Sequence, residues 1–263
     1  QGEGLLIKIN PQTFQQEAQY PIPGRVTILS HMKEDRSGKI YISGNEGKLI
    51  VFDPQNILFE TADLNAVTGY RERILSMQED VSGHAWIGTT HGLIKSTPGQ
   101  KGRTFSLYKN DSKDRSSLNC DVILATIDDP KQPDRFLWVG TKGGGLNHLD
   151  KMTGKCTHFT TADGLPNNVV YGILPDGTGA LWLSTNFGIS KFDPDTRGFQ
   201  NFFASDGLQE NEFNTSSYAS APDGRLFFGG VNGLTAFYPQ ELNESREAPK
   251  VYLTALKIQN HAL

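Results

Sequence analysis

A chain of 263 residues, 37% hydrophobic and 21% charged, is sized for one large domain or two ordinary ones, with the composition of a soluble globular protein. Its net charge of −4 leaves no basic face to argue for nucleic acid, and no apolar run approaches the roughly 20 residues of a membrane helix. The 28 Gly and 13 Pro favour many turns, as in an all-β fold.

Leu5, Ile7 and Ile9 alternate with polar residues from the outset, and Gln1 stands where a start Met would. This reads as a processed chain or an excised segment. Residues 4–9 and 14–20 are predicted as the third and fourth strands of a unit whose first two are absent. One phrase then recurs: Ile40-Tyr41-Ile42-Ser43-Gly44, Ala85-Trp86-Ile87-Gly88-Thr89 and Leu137-Trp138-Val139-Gly140-Thr141, followed by Leu181-Trp182-Leu183-Ser184-Thr185 and Leu226-Phe227-Phe228-Gly229-Gly230. Its central aromatics step by 45, 52, 44 and 45 residues. A period of that size marks stacked units, each too small to bury its own apolar face.

The unit over 165–203 reads as four short antiparallel strands, at 168–174, 181–184, 189–192 and 199–203. Pro175-Asp176-Gly177, Asn186-Phe187-Gly188 and Asp193-Pro194 form the turns between them. Matching unit cores fall at 25–61, 72–108, 119–160, 167–203 and 211–238, with the partial unit at 4–20 ahead of them. The predicted fold is an all-β propeller over 1–240, of about five and a half four-stranded blades. It is either part of a seven-bladed propeller or a smaller closed ring. The recurrent aromatics are predicted to wedge neighbouring blades together, and the Gly-Thr or Ser-Thr after them to leave room at a crowded turn. Residues 241–263 break the pattern, as a linker followed by a strand of a next domain or a ring-closing strand.

The two cysteines, Cys120 and Cys156, are predicted as free thiols, one on an inner and one on an outer strand, too far apart to bridge. They have no metal-ligand spacing, and neither a metal nor another cofactor is expected.

Several stretches resemble a known repeat. The run Gly164-Leu165-Pro166-Asn167-Asn168-Val169-Val170, with Asp176-Gly177, Leu181-Trp182-Leu183-Ser184-Thr185 and Gly188-Ile189, resembles the two-component regulator propeller repeat. Gly207-Leu208-Gln209-Glu210-Asn211-Glu212-Phe213-Asn214, with Phe227-Phe228-Gly229-Gly230, resembles the last repeat of sensor propellers in Bacteroides-type hybrid two-component systems. Residues 248–256 resemble the entry strand of the Ig-like domain that follows there. The resemblance implies a non-enzymatic periplasmic sensor domain. It would bind oligosaccharides, signal to a histidine kinase that controls polysaccharide utilisation, and dimerise; this segment itself would not touch the membrane.

In propellers, ligands meet the face formed by the loops from strand four to one and from strand two to three. On that face the candidate ligand residues are Arg25, Arg73, His91, Asp121, Lys142, Asn168, Asn186, Phe187, Asn211 and Glu212. Amides, carboxylates and guanidiniums suit sugar hydroxyls, and Phe187 and His91 could stack on a sugar ring. Asn and Asp at such positions also cap turns through their own backbone. A protein–protein propeller without a small ligand is the alternative.

No catalytic residue is assigned. The six histidines have no HExxH spacing and no GxSxG elbow occurs. Asp35, Asp80, Asp176 and Asp223 recur before glycine, which is a repeated turn rather than an acid–base pair. Propeller lyases of the streptogramin type use histidine on the same face, which keeps His91 and His31 as candidates for that reading. Gly143-Gly144-Gly145 reads as a tight loop, since no following helix makes it a phosphate cradle.

Overall fold

The computed structural model describes residues 4–24, 29–44, 46–100, 102–242, 257–258 and 261–262. Arg25 and the stretch 248–256 lie outside the described residues. Within them the all-β propeller is present. The first blade is β3 (Leu29–Glu34), β4 (Ile40–Gly44), β5 (Lys48–Asp53) and β6 (Leu58–Asp63), preceded by the hairpin of β1 (Leu5–Ile9) and β2 (Gln16–Pro21). The second, after a one-turn helix α1 (Asn65–Thr68), is β7 (Ile74–Glu79), β8 (Ala85–Thr89), β9 (Gly92–Gly99) and β10 (Gly102–Tyr108). The third is β11 (Ile123–Asp128), β12 (Phe136–Thr141), β13 (Leu146–Asp150) and β14 (Cys156–Phe159). The fourth is β15 (Val170–Pro175), β16 (Leu181–Thr185), β17 (Ile189–Asp193) and β18 (Gly198–Phe202). The fifth has three strands, β19 (Phe213–Ser220), β20 (Leu226–Gly230) and β21 (Gly233–Phe237). A two-residue pair, β22 (Lys257–Ile258) and β23 (His261–Ala262), follows.

The turn chemistry explains the strand lengths. Asp35, Asp80 and Asp176 each accept, through Oδ1, the backbone N–H two residues on, at 2.9, 2.9 and 2.8 Å. Gly38, Gly83 and Gly179 then take φ of 84°, 79° and 87°, which glycine adopts without strain. The fifth blade differs from expectation. Ala221 holds the equivalent place, closing on Arg225 and Gly224. Asp223 instead accepts from Arg225 N and Tyr238 Oη.

Four of the five aromatic wedges insert into the next blade. Tyr41 packs with Met77 and Ile87, Trp86 with Ile123 and Val139, Trp138 with Ile173 and Phe192, and Trp182 with Leu226 and Phe228. All four are at most 5% exposed. Phe227 departs from this role and is half-buried, while its neighbour Phe228 carries the core at 0% exposure. The reason is position, because among the described residues no sixth sheet covers that side of the fifth blade.

At the other end, Leu6, Tyr20 and Ile22 pack on Ile42, Ile50 and Phe52 of the first blade. That leaves Leu5, Ile7 and Ile9 on the outer side of β1, at 48, 45 and 53% exposure.

Every inner strand carries an irregularity near its start, from Leu29/His31 to Val170/Gly172. In β19 it widens to span Phe213 to Tyr218, with Ser216 at φ 59°. This bulge brings Ser216 Oγ to 3.2 Å from His31 Nε2 on β3 and to 3.3 Å from Leu75 O on β7. The first and last blades thus meet at the ring's inner strands. Both cysteines are free, and Cys120 lies ahead of β11 rather than on an inner strand.

Candidate functional site

The loop face is built by a repeated latch. In the third blade the loop after β12 reaches the connection into the fourth, where Gly143 N and Gly145 N donate to Asn168 O at 2.9 and 2.8 Å. In the fourth, Gly188 N donates to Asn211 O at 2.6 Å. In these two blades the loop between strands two and three is thereby tied to the mouth of the next blade's first strand. The face is continuous along these blades because the backbone demands these bonds.

The capping role is real for three predicted residues. Asp121 Oδ1 accepts from Asn110 N at 2.7 Å, Asn168 Oδ1 from Thr161 N at 2.8 Å, and Asn211 Oδ1 from Ala204 N at 2.8 Å. All three stand two residues before their strand. The amide nitrogens of Asn168 and Asn211 make no hydrogen bond among the described residues and stay available as donors. Lys142 is exposed, and its backbone bridges to Val169. Asn186 Oδ1 accepts from Tyr171 Oη at 2.8 Å. Burial, and then the charge of Glu212, push the Tyr171 phenol above its ordinary pKa. Phe187 is 49% exposed and its ring lies 5.3 Å from that of Phe203. The structure therefore gathers Lys142, Asn168, Asn186, Asn211 and Glu212 into one latched series.

Arg73 and His91 form a separate group on the second blade. His91 Nδ1 sits 3.1 Å from Glu72 Oε1, and its ring stacks on Tyr70 with centroids 4.3 Å apart and planes at 9°. Glu72 is fully buried, accepting also from Thr90 N at 3.2 Å and Thr90 Oγ1 at 2.9 Å. Arg73 is exposed, and its backbone N–H reaches Thr90 Oγ1 at 3.4 Å. Lys109 holds its ammonium 5.3 Å from the Tyr70 ring centre.

Tyr70, Glu72, Lys109 and Tyr171 were not among the sequence-predicted residues. Glu72 was within reach, because it stands two residues before β7, as Asp121, Asn168 and Asn211 stand before their strands. Being one methylene longer than Asp, it turns to its own blade's Thr90-His91 loop instead of back along the chain. Away from the face, a cavity of about 430 Å³ opens between β5, β6 and β10, and it is lined by none of the predicted residues.

Among the described residues, no group of three or more His, Cys, Asp or Glu side chains could hold a metal ion. No described helix is long and apolar enough to cross a membrane.

Comparisons with known proteins agree with this architecture. A histidine kinase of Formosa agariphila is 32% identical over 101 residues, spanning 38% of this chain and 7% of that protein. The extracellular domain of a protein assigned as a one-component system of B. thetaiotaomicron superposes with TM-score 0.68 at 18% identity, over 88% of this chain and 29% of that one. The extracellular domain of one assigned as a hybrid two-component system of the same organism gives 0.56 at 17%, over 95% and 40%. Streptogramin B lyase gives 0.63 at 14%, over 83% and 67%. At these identities the superpositions speak for the fold alone. This chain spans a small part of the kinase and less than half of either extracellular domain. Residues 164–187 match the model of the two component regulator propeller, so the chain carries a repeat of that family.

Proposed function

We propose that this chain is the ligand-binding propeller of a two-component sensor, placed outside the cytoplasm, without catalytic activity, and selective for oligosaccharides. One observation carries this reading. A regulator-propeller repeat at 164–187 sits in a fold whose loop face sets Lys142, Asn168, Asn186, Asn211 and Glu212 side by side. Such a row offers paired donors and acceptors to sugar hydroxyls, and the amide nitrogens of Asn168 and Asn211, without a partner among the described residues, lie within it. The signal would pass on as a bias on whatever follows the fifth blade. Calorimetric titration of the purified chain with a panel of plant and host oligosaccharides tests the reading. Binding of at least one of them, weakened by Asn186→Ala, is expected; no binding across the panel overturns it.

One observation favours a second reading, a protein-binding propeller that self-associates. Leu5, Ile7 and Ile9 form an apolar stripe on β1, and Phe14 at the hairpin tip is 82% exposed. Sedimentation velocity separates the two, since Ile7→Lys would abolish a dimer held by this stripe. For the lyase-like alternative, the two histidines that kept it open are both engaged. His31 is bonded to Ser216 and His91 to Glu72.

A further inference from the structure

We infer that the Tyr70–His91 stack, rimmed by Arg73 and Lys109, is a subsite for an anionic saccharide, one whose ring carries a carboxylate or a sulfate. The inference rests on the oligosaccharide reading above and deepens it.

The charge balance at this spot is the first observation. The run Tyr70-Arg71-Glu72-Arg73 sets two exposed arginines in the chain next to one aromatic pair, and the Lys109 ammonium lies over the Tyr70 ring of that pair. Their local carboxylate, Glu72, is fully buried and taken up by Thr90 and His91. Among the described residues no carboxylate pairs with Arg71, Arg73 or Lys109. The Tyr70 ring, 5.3 Å from the Lys109 ammonium, is a weak partner at an exposed site. On a chain of net charge −4, a cluster of cations without counter-charges is a local field that favours an anion.

The second observation is the shape of the surface. Tyr70 is 52% exposed, although its ring is stacked on His91 and so held in one orientation. A fixed, half-exposed aromatic gives the C–H face of a sugar an apolar surface at little cost in side-chain entropy. His91 is fixed in turn. Its Nδ1 faces the Glu72 carboxylate, which leaves Nε2 for the ligand. Guanidinium and ammonium groups at the rim then meet a carboxylate or sulfate on that sugar, with the planar fork of Arg73 suited to either oxyanion. Stacking alone would accept any pyranose. The unpaired cations make the subsite selective for a charged one.

Three trimers on one skeleton test this by calorimetry: trigalacturonate, 6-sulfated galactotriose and neutral galactotriose, which differ only at C6. We expect at least one charged trimer to bind more tightly than the neutral one by about tenfold or more, with affinity falling as NaCl is added. The tighter of the two identifies carboxylate or sulfate as the recognised group. Arg73→Gln, Lys109→Met and Tyr70→Ala should each weaken the charged trimer by several-fold, while Tyr70→Phe keeps the stack and the affinity. Thermal melts of the variants verify that each is folded. Neutral galactotriose binding as tightly as both charged trimers, without salt dependence, overturns the inference and leaves the oligosaccharide reading standing. So does charged-trimer binding that survives all three substitutions in folded protein. If the trimers fail while another oligosaccharide of the wider panel binds, this inference alone falls; if nothing binds, both fall.

Discussion

Asp80 receives the indole N–H of Trp86 at 2.8 Å, so the residue that closes the first turn of the second blade also anchors the aromatic wedge of that blade. Asp176 and Trp182 repeat the bond at 3.0 Å in the fourth blade. A third partner arrives at Asp80 from outside its blade. Lys151 of the third blade, 4% exposed, lies 3.5 Å from Asp80 and 2.6 Å from Asp128. Turn, wedge and blade–blade contact thus share one carboxylate, which is 1% exposed.

Removing that carboxylate leaves the buried Trp86 indole N–H without its acceptor and takes one of two carboxylates from Lys151, which keeps Asp128. Asp80→Ala should cost about 2–4 kcal/mol, because both Trp86 Nε1 and Lys151 lose a buried partner. Asp35→Ala breaks only turn bonds near the surface and should cost about 0.5–1.5 kcal/mol. Urea midpoints of the two variants measure the contrast.

The wedges should differ by position. Trp182→Ala removes a side chain 1% exposed between the fourth and fifth blades, and about 3–5 kcal/mol is expected. Phe227→Ala acts on a half-buried ring and should cost about 1 kcal/mol. Equal losses in chemical denaturation would mean that the outer side of the fifth blade is covered in solution.

Gly140 follows the wedge of the third blade, and a Cβ there would lie 2.9 Å from Val170 O on the next inner strand. A backbone carbonyl paired into β15 cannot retreat cheaply. Gly140→Ala should therefore destabilise by about 1–3 kcal/mol through overpacking. A thermal melt detects it. Gly177→Ala, where a Cβ meets nothing within 4 Å, is the matched control.

Acid should unfold the protein through a few buried carboxylates. Burial raises the pKa of Asp80, Asp129 and Asp176. Stronger opposing bonds, led by Trp86 Nε1, His148 and the Thr178 hydroxyl respectively, bring each net below the ordinary 3.8. A carboxylate depressed in the folded state stabilises it above the unfolded value, and that stability is lost as pH falls through the folded value. Asp128 opposes them, since burial raises it more than Lys151 lowers it. His31, lowered from 6.5 chiefly by burial, adds a loss that starts at milder acidity. Stability should thus decline in two stages, near pH 6 and again below about pH 4. Urea midpoints across this range test it: His31→Gln should remove the first stage and Asp176→Asn should flatten the second.

Much of the architecture was legible because the signals are local. The recurring aromatic phrase and the Asp-to-Gly turns at 35, 80 and 176 are short-range chemistry. The last turn misled because Asp223 also precedes a glycine, and only the hydrogen bonds reveal Ala221 in the equivalent place. The loop-face candidates were legible as positions but not as partners. Asn168 and Asn186 could be placed on one face, yet the bond from Tyr171 to Asn186 depends on how β15 twists past the loop. No local pattern links Tyr70 and Glu72 to Lys109, because they belong to two connections that flank one blade, brought together only when β7 to β10 close into a sheet.

The amino-acid sequence by itself determined the period, the strand chemistry and the turn residues, since each depends on neighbours a few positions away. Tertiary structure decided which wedge is buried, how Ser216 meets His31 across the inner strands, and that Glu72 faces His91 rather than its own connection. Those outcomes depend on through-space distances between segments remote in sequence, which pairing and twist set and no local pattern encodes.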